Sequence, residues 1–445
     1  MWRVTDAQPV VLPRIAYGRG SRLYDVTGKE YIDGSGGPAV YCLGHAHPEV
    51  NDAIKRQLDA VAHAYRYNFA SDPMDELTEL VARRSGPGFS KMIFTTGGSE
   101  AVESALKVAL HYHYAAGAPT RQRFIARERS WHGNTLGALS VSHFKERRAP
   151  YEGALVPASH LSAVNPYRPP HGVAPEDVAG ACADELEREI VRLGEENVAA
   201  FVFEPVVGAA GGAIPAPPGY ARMVREICDR HGVLMVADEV MCGTGRCGTW
   251  RALEHDGVTP DVMAVAKGLG GGYVPLGATL YHDNVAAVLD VVGGPQTGHT
   301  FTGHTLACAA GLAVQRIVER DRLVERVRAD GPGLMKLMEE RFADVEQVGD
   351  IRGRGFFVGL ELVADPATKQ PFPAADGLHL LVRRQALDNG LICYPSGGNV
   401  DGVNGDTVII APPFNATDAE IDEIVDKLDR SVRGALDDVV VSAAR

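Results

Sequence analysis

The sequence predicts an α/β protein with a large, mostly parallel sheet and a smaller C-terminal α/β domain, and three observations carry that prediction. The apolar runs Val233 to Ala237 and Val262 to Ala266 read as buried strands; Asp238 and Glu239 follow the first, Lys267 the second. Such strand ends lie at the carboxyl edge of an open α/β sheet, where ligands bind. The stretch MIFTTGGSEAVESALKVAL gives a strand, a Thr-Thr-Gly-Gly turn and a helix in one unit. From Val324 onward the pattern changes to amphipathic helices and short strands, ending in a helix near Asp418 to Leu436. The chain therefore divides into an N-terminal segment, 1–50, packing with the small domain; a large domain, 51–323; and a small domain, 324–445.

Residues 1–50 contain two short alternating runs around Leu23 and Tyr31, separated by Thr27-Gly28, which predict a hairpin leading into a glycine-rich loop. Tyr41, in that loop, suits a core aromatic or a pocket wall equally. In the next unit Ala101, Val102, Ala105, Val108 and Ala109 recur on one helical face, which sets Gly98 and Ser99 at a helix N-terminus. Unpaired N–H groups and the positive end of the dipole make that turn a phosphate site, although a serine there also serves as a cap. RERSWHGNTLGALSVS brings Trp131 beside His132 and Gly133, where the indole suits a core anchor or a ring stacked on a flat ligand. ADELEREIVRLGEEN reads as a surface helix with a solvated charged face. AAFVFEPVVGAAGG supplies a strand ending at Glu204, a strand-end carboxylate or a site acid. Thr300 precedes a helix, where threonine usually caps or turns the chain.

Composition narrows the function. A 445-residue chain, 45% hydrophobic and 23% charged, is ordinary for a soluble globular protein of two domains. Its net charge of -13 argues against general affinity for nucleic acid or anionic membrane and points to a small-molecule partner. Seven cysteines without metal-like or redox spacing fit a reducing compartment, with Cys242 and Cys247 read as buried thiols and no metal site. The N-terminus lacks a basic region followed by a sustained apolar segment, and no segment reaches membrane-spanning length, so a cytoplasmic enzyme is expected.

The series ADEVMCGTGRCGTW, PDVMAVAKGLGGGYVPLGA and GHTFTGH resembles the signature of the class III aminotransferases, the branch of the aspartate aminotransferase fold that includes ω-amino acid:pyruvate and acetylornithine transaminases. The match recurs in order from about Tyr24 to Pro413. It implies a pyridoxal-phosphate-dependent transferase fold and a pyridoxal 5'-phosphate cofactor, for which Lys267 supplies the Schiff-base amine and the catalytic base, and Asp238 the carboxylate that keeps the ring nitrogen protonated. By the same resemblance Gly98 and Ser99 form the phosphate loop, Trp131 and Val240 cover opposite ring faces, His132 orients neighbours, and Glu204 stands near the cofactor. Gly36, Gly37, Ala39, Val40 and Tyr41 match a stretch that lines the substrate entrance. Thr300 matches a residue that reaches the partner's phosphate, which implies a homodimer or a dimer of dimers. The reaction implied is a ping-pong transfer from a small-molecule amino donor to a keto-acid acceptor.

Other readings of the same residues stay open at this point. Asp238 and Lys267 are also compatible with ordinary strand-end polar positions. The cofactor motifs serve aminomutases, racemases and decarboxylases equally, because they hold the cofactor and not the substrate. A nicotinamide dehydrogenase, suggested by Gly268, Gly270 and Gly271, has the wrong glycine spacing and leaves Lys267 without a role.

One departure bears on the substrate. Many ω-amino acid transaminases of this family carry an arginine after the strand that precedes the Pro-Pro-aromatic segment, and it binds the keto acid's carboxylate. Here the matching strand is Gly390 to Cys393, and Tyr394 and Pro395 follow, then an inserted glycine-rich loop, Ser396 to Gly405. Tyrosine cannot form arginine's bidentate charged pair. Arg354, in an Arg-Gly-Arg-Gly turn, is the substitute the sequence offers, and it serves equally to brace that turn. The donor expected is therefore an amine or an ω-amino acid whose carboxylate lies away from the reacting carbon, with pyruvate as an acceptor.

Overall fold

The computed structural model of the chain describes residues 12–443; residues 1–11, part of the N-terminal segment, lie outside the described residues. Its largest sheet has seven strands in the spatial order Lys91–Thr95, Gly277–Tyr281, Val262–Val265, Leu234–Asp238, Val198–Phe203, Arg123–Arg127, Ala158–Leu161. Gly277–Tyr281 runs antiparallel to both neighbours, and the other pairings are parallel. Both faces are covered, which is why VAAFVF at Val198–Phe203 is an unbroken buried apolar run with no polar alternation. Val202, Val236 and Ala264 pack with Ala101, Val102 and Ala105 of the helix Gly98–Ala115 on one side. Phe201, Phe203, Met235 and Ala237 pack on the other against the helices Val178–Leu193 and Tyr220–His231. The acidic helix buries only the stripe Val178, Cys182, Ala183, Leu186 and Ile190 and turns its charges outward.

This register positions the site. Asp238 pairs across to Ala264 and Ala237 to Phe203, so three parallel strands end level and put Asp238, Glu204 and Lys267 at one edge.

A four-stranded antiparallel sheet, ordered Val348–Gly353, Val358–Leu362, Asp406–Ile410, Tyr394–Gly397, packs through Val358, Leu360, Val408 and Ile410 into a core with the helices Leu323–Phe342, Leu378–Asp388 and Asp418–Ala443. The strands Arg22–Asp25 and Glu30–Asp33 form the hairpin read from the sequence, and the Asp25 carboxylate closes the turn by accepting from the Thr27 and Lys29 amides at 2.8 and 3.0 Å. Ile15–Arg19 joins them, and Leu391–Ile392 pairs in parallel with Glu30–Asp33 from far along the chain. The strand expected at Gly390 to Cys393 is observed as Leu391–Ile392, in the hairpin sheet. The loop expected from Ser396 begins two residues later, because Tyr394–Gly397 pairs with Asp406–Ile410 as an edge strand of the antiparallel sheet. The last helix extends past Leu436 to Ala443. All seven cysteines are free, and Cys242 and Cys247 are buried. Among the described residues no helix is long and apolar enough to cross a membrane.

Candidate active site

A cavity of about 300 Å³ opens at the level strand ends, lined by Gly98, Ser99, Trp131, His132, Glu204, Asp238, Val240 and Lys267 among others. The structure therefore brings together eight of the residues singled out in the sequence. At the centre the Asp238 carboxylate accepts from His132 Nδ1 at 2.7 Å and from the Val240 amide at 3.0 Å, with both side chains buried. Burial pulls the His132 imidazole down, but the Asp238 hydrogen bond and charge outweigh it and hold the ring above its ordinary value. His132 Nε2 is buried without a hydrogen-bond partner among the described residues.

Lys267 follows the strand Val262–Val265 and takes φ +45°, a left-handed conformation that a side chain adopts at a cost of roughly 1–2 kcal/mol. Its turn is pinned by the Leu269 and Gly271 amides, which donate to the Ala266 and Lys267 carbonyls at 2.9 and 2.9 Å. Burial pulls the partly buried Lys267 amine below its ordinary value, against the opposing charges of Asp238 and Glu204. Glu204 accepts from the Trp131 amide at 2.9 Å and the Gly208 amide at 2.8 Å. Burial, with Asp238 adding, pushes its carboxyl up to about 7, while His132 and the two amides pull the other way.

The phosphate-type end is the start of the helix Gly98–Ala115. Gly97 occupies the N-cap position and Ser99 lies in the first turn; its hydroxyl makes no cap bond and accepts from the Asn134 amide at 3.0 Å. Two glycines set the fit of this wall: a Cβ on Gly98 would stand 2.8 Å from Val240, and one on Gly133 would stand 2.6 Å from Ser99 Oγ. Trp131 lies on the wall, with Phe144 edge-on at 5.9 Å between ring centroids.

The adjacent acid, Glu239, turns away. It is buried, accepts from the Ala252 and Leu253 amides at 2.7 and 3.1 Å, and is pushed up to about 7 by burial. The strand end read from the sequence as delivering two acids delivers one to the cavity.

Other singled-out residues lie elsewhere. Tyr41 is off the cavity wall, tilted against His45 at 4.3 Å, while its chain neighbour Val40 lines the cavity. Tyr394 packs against the cluster that includes Met241, Phe357 and Ile409. Arg354 makes its charge felt at Asp256 and His255, outside the cavity. Thr300 is exposed in the loop between the helices Asp283–Asp290 and Thr305–Arg320. Thr96, Met241 and the segment Val274-Pro275-Leu276 line the cavity and were missed. The last lies inside the quoted glycine-rich motif, which held the signal.

The donor set fits a flat pyridine carrying a phosphate and a carbonyl. It offers a buried acid for a ring nitrogen, an amine, a helix N-terminus, and a slot walled by Trp131 and Val240. Residues 5–432 match the family model described as aminotransferase class III. An uncharacterized aminotransferase of Schizosaccharomyces pombe is 41% identical over 94% of this chain and 92% of its own. An adenosylmethionine-8-amino-7-oxononanoate aminotransferase of Geobacter sulfurreducens is 37% identical over 96% and 92%. The solved structure of an amine transaminase from an uncultivated Pseudomonas species, in a PLP-bound form, superposes with a TM-score of 0.89 at 32% identity, covering 97% of this chain and 98% of that one.

Proposed function

We propose that this chain, which belongs to the class III aminotransferases and is a pyridoxal-phosphate-dependent transaminase, carries its cofactor on Lys267 and takes its amino group from an amine or an ω-amino acid. The observation that supports this most directly is the sharing of one cavity by Lys267, the buried Asp238–His132 pair and the first turn of the helix Gly98–Ala115. Pyridoxal phosphate supplies, when bound, an electron sink that lets a proton leave the carbon bearing the amine. Lys267, with its amine held below the ordinary value by burial, takes that proton and returns it one position along. Asp238, fixed by His132, holds a proton at the ring nitrogen. Gly98 and Ser99 bind the phosphate, Trp131 and Val240 hold the ring flat, and Glu204 stands on the substrate side.

The keto-acid acceptor is proposed to be of the pyruvate type, since neither Tyr394 nor Arg354 lies on the cavity wall to bind a second carboxylate. A homodimer or a dimer of dimers is proposed as the active unit. The exposed aromatics Tyr65, Tyr67, Phe69 and Phe301 support it, as such rings on a free surface need covering. Seven free cysteines support a cytoplasmic location, and the division at about residues 50 and 323 is kept as part of the same proposal.

Borohydride reduction of the purified protein tests the central assignment. The expected result is loss of the visible absorption band and a modified peptide containing Lys267. A protein that stays colourless when incubated with pyridoxal phosphate overturns it.

A further inference from the structure

We propose that the chain has a second small-molecule site, outside the Lys267 cavity, which binds a zwitterion of the amino-acid class with its carboxylate on Arg129 and its ammonium on Glu128.

A separate cavity of about 280 Å³ is lined by Glu128, Arg129, Arg168, His171, Asn399 and Val400 among others. It shares no lining residue with the Lys267 cavity. Its walls come from the turn before Trp131, from the segment 162–171 and from the inserted loop after Tyr394–Gly397.

Glu128 and Arg129 carry opposite charges into this cavity without pairing. Among the described residues the Arg129 guanidinium makes one hydrogen bond, from Nε to the Val400 carbonyl at 3.2 Å, and its Nη1 is buried without a partner. Burial pulls that guanidinium below its ordinary value, and the charges of Glu128 and Asp401 act against it from a distance. Asp401 is already engaged: its carboxylate accepts from the Val403 and Asn404 amides at 2.8 and 2.7 Å and from the Asn404 side chain at 2.7 Å. The Glu128 carboxylate has neither a hydrogen bond nor an ion pair among the described residues. Arg168 is neutralised by Glu361, which Arg352 also holds, yet its Nη2 is buried without a hydrogen-bond partner. Asn399 is 7% exposed, and its Oδ1 has no hydrogen-bond partner either. Buried polar groups are nearly always matched, so unmatched groups on three side chains around one cavity point to a ligand.

The charges select that ligand. A guanidinium and a carboxylate held apart on one cavity wall are complemented by a molecule that carries both opposite charges. Its carboxylate takes the fork of Arg129, with Arg168 adjoining, and its ammonium takes Glu128. A polyanion would meet Glu128, and a simple cation would meet the two arginines. The volume is on the order of ten waters at about 30 Å³ each, which suits one small amino acid. An occupant would also brace the inserted loop against the catalytic cavity, because Ser396 Oγ donates to the carbonyl of Ala209, a residue of that cavity's wall, at 3.3 Å.

The test is calorimetric titration of the holoenzyme with α-aminoisobutyrate, which lacks the proton that transamination removes, and with its single-charge analogues isobutyrate and tert-butylamine. Saturable binding of α-aminoisobutyrate is expected, with each analogue about 10- to 100-fold weaker, the range for losing one charge-assisted pair. Arg129 takes φ +56°, a conformation that asparagine tolerates, so Arg129→Asn removes the charge and keeps the backbone. It should raise the Kd by a similar factor, and Arg129→Lys should recover part of the loss. Glu128→Gln should erase the preference for the zwitterion over isobutyrate. No saturable binding, or a Kd unchanged in both Arg129→Asn and Glu128→Gln, would overturn the site. So would heat that follows a change in the cofactor's visible band with one Kd and is untouched by either substitution, since the probe would then sit in the Lys267 cavity.

Discussion

At the floor of the cavity Asp238 is bonded to His132 at 2.7 Å and Glu204 to two backbone amides, all inside one chain. Outside the cavity, the loop before the helix Thr305–Arg320 carries Thr300 and Phe301, both exposed. The floor is pre-organised by the fold itself, so its groups cost little to reorganise when charge moves. The exposed loop is the part proposed to meet a second subunit. Substitutions at the floor should therefore lower kcat, and one at Thr300 should weaken cofactor binding.

The largest effect expected is that of Asp238→Asn, which preserves shape and removes the charge proposed to retain the ring-nitrogen proton. A fall in kcat of about 10²- to 10⁴-fold is expected, with the substrate KM changed far less. A fall of less than about 10-fold would place Asp238 among the ordinary strand-end acids. Its neighbour Glu239 sharpens the contrast. Glu239→Ala strands the Ala252 and Leu253 amides, at roughly 1–3 kcal/mol for each buried donor left unpaired. The expected outcome is a lower Tm in thermal unfolding, with kcat of the folded fraction close to unchanged.

Next comes the pH dependence of the floor. An unfolded glutamate titrates near about 4.3, whereas burial pushes Glu204 up to about 7. Between those values the folded chain holds a proton that the unfolded chain has lost. The contribution of Glu204 is thus fully present below the unfolded pKa and is lost as pH rises through the folded one, by an amount on the order of 3 kcal/mol. Glu204→Gln removes the charge at every pH but sets an NH2 group against one of the two amides that Glu204 accepts from, those of Trp131 and Gly208. Its Tm should lie below that of the unsubstituted protein near about pH 4.5, and the gap should narrow or reverse as pH rises above about 7. A Tm difference that does not change with pH would contradict the upward shift.

The floor was legible in the sequence, and what depends on distant partners was not. Apolar runs and a 3.6-residue stripe are local signals, and Val233 to Ala237, Val262 to Ala266 and the Ala101–Ala109 face lie where those signals put them. Asp238 and Lys267 follow directly from strand ends, because a parallel sheet fixes which edge they reach. What the sequence hid depends on distant partners. That Tyr394–Gly397 forms a strand is decided by its pairing with Asp406–Ile410, and whether Glu239 faces the cavity is decided by the amides of Ala252 and Leu253.

The smallest effect belongs to Thr300. Thr300 is exposed, in a loop whose neighbour Phe301 is also exposed at 52%. Phe301 packs edge-on against His63 and His304, at 5.6 and 5.5 Å between ring centroids, and a twofold contact would cover its exposed half and direct Thr300 at the partner's cavity. If Thr300 completes the partner's phosphate site with one hydroxyl donor, its loss removes a single hydrogen bond to a charged group. Thr300→Ala should then raise the Kd for pyridoxal phosphate by about 10-fold, the factor for roughly 1.5 kcal/mol, while kcat at saturating cofactor stays close to that of the unsubstituted protein. Mixing sharpens the point: subunits carrying Lys267→Ala and subunits carrying Thr300→Ala, both inactive or weakened at limiting cofactor, should regain activity on exchange. In the mixed dimer one cavity keeps its own Lys267 and receives an intact Thr300 from across the interface. Failure to regain activity under conditions where exchange is verified by mass, or full activity in a strictly monomeric preparation, would return Thr300 to the role of an ordinary loop residue.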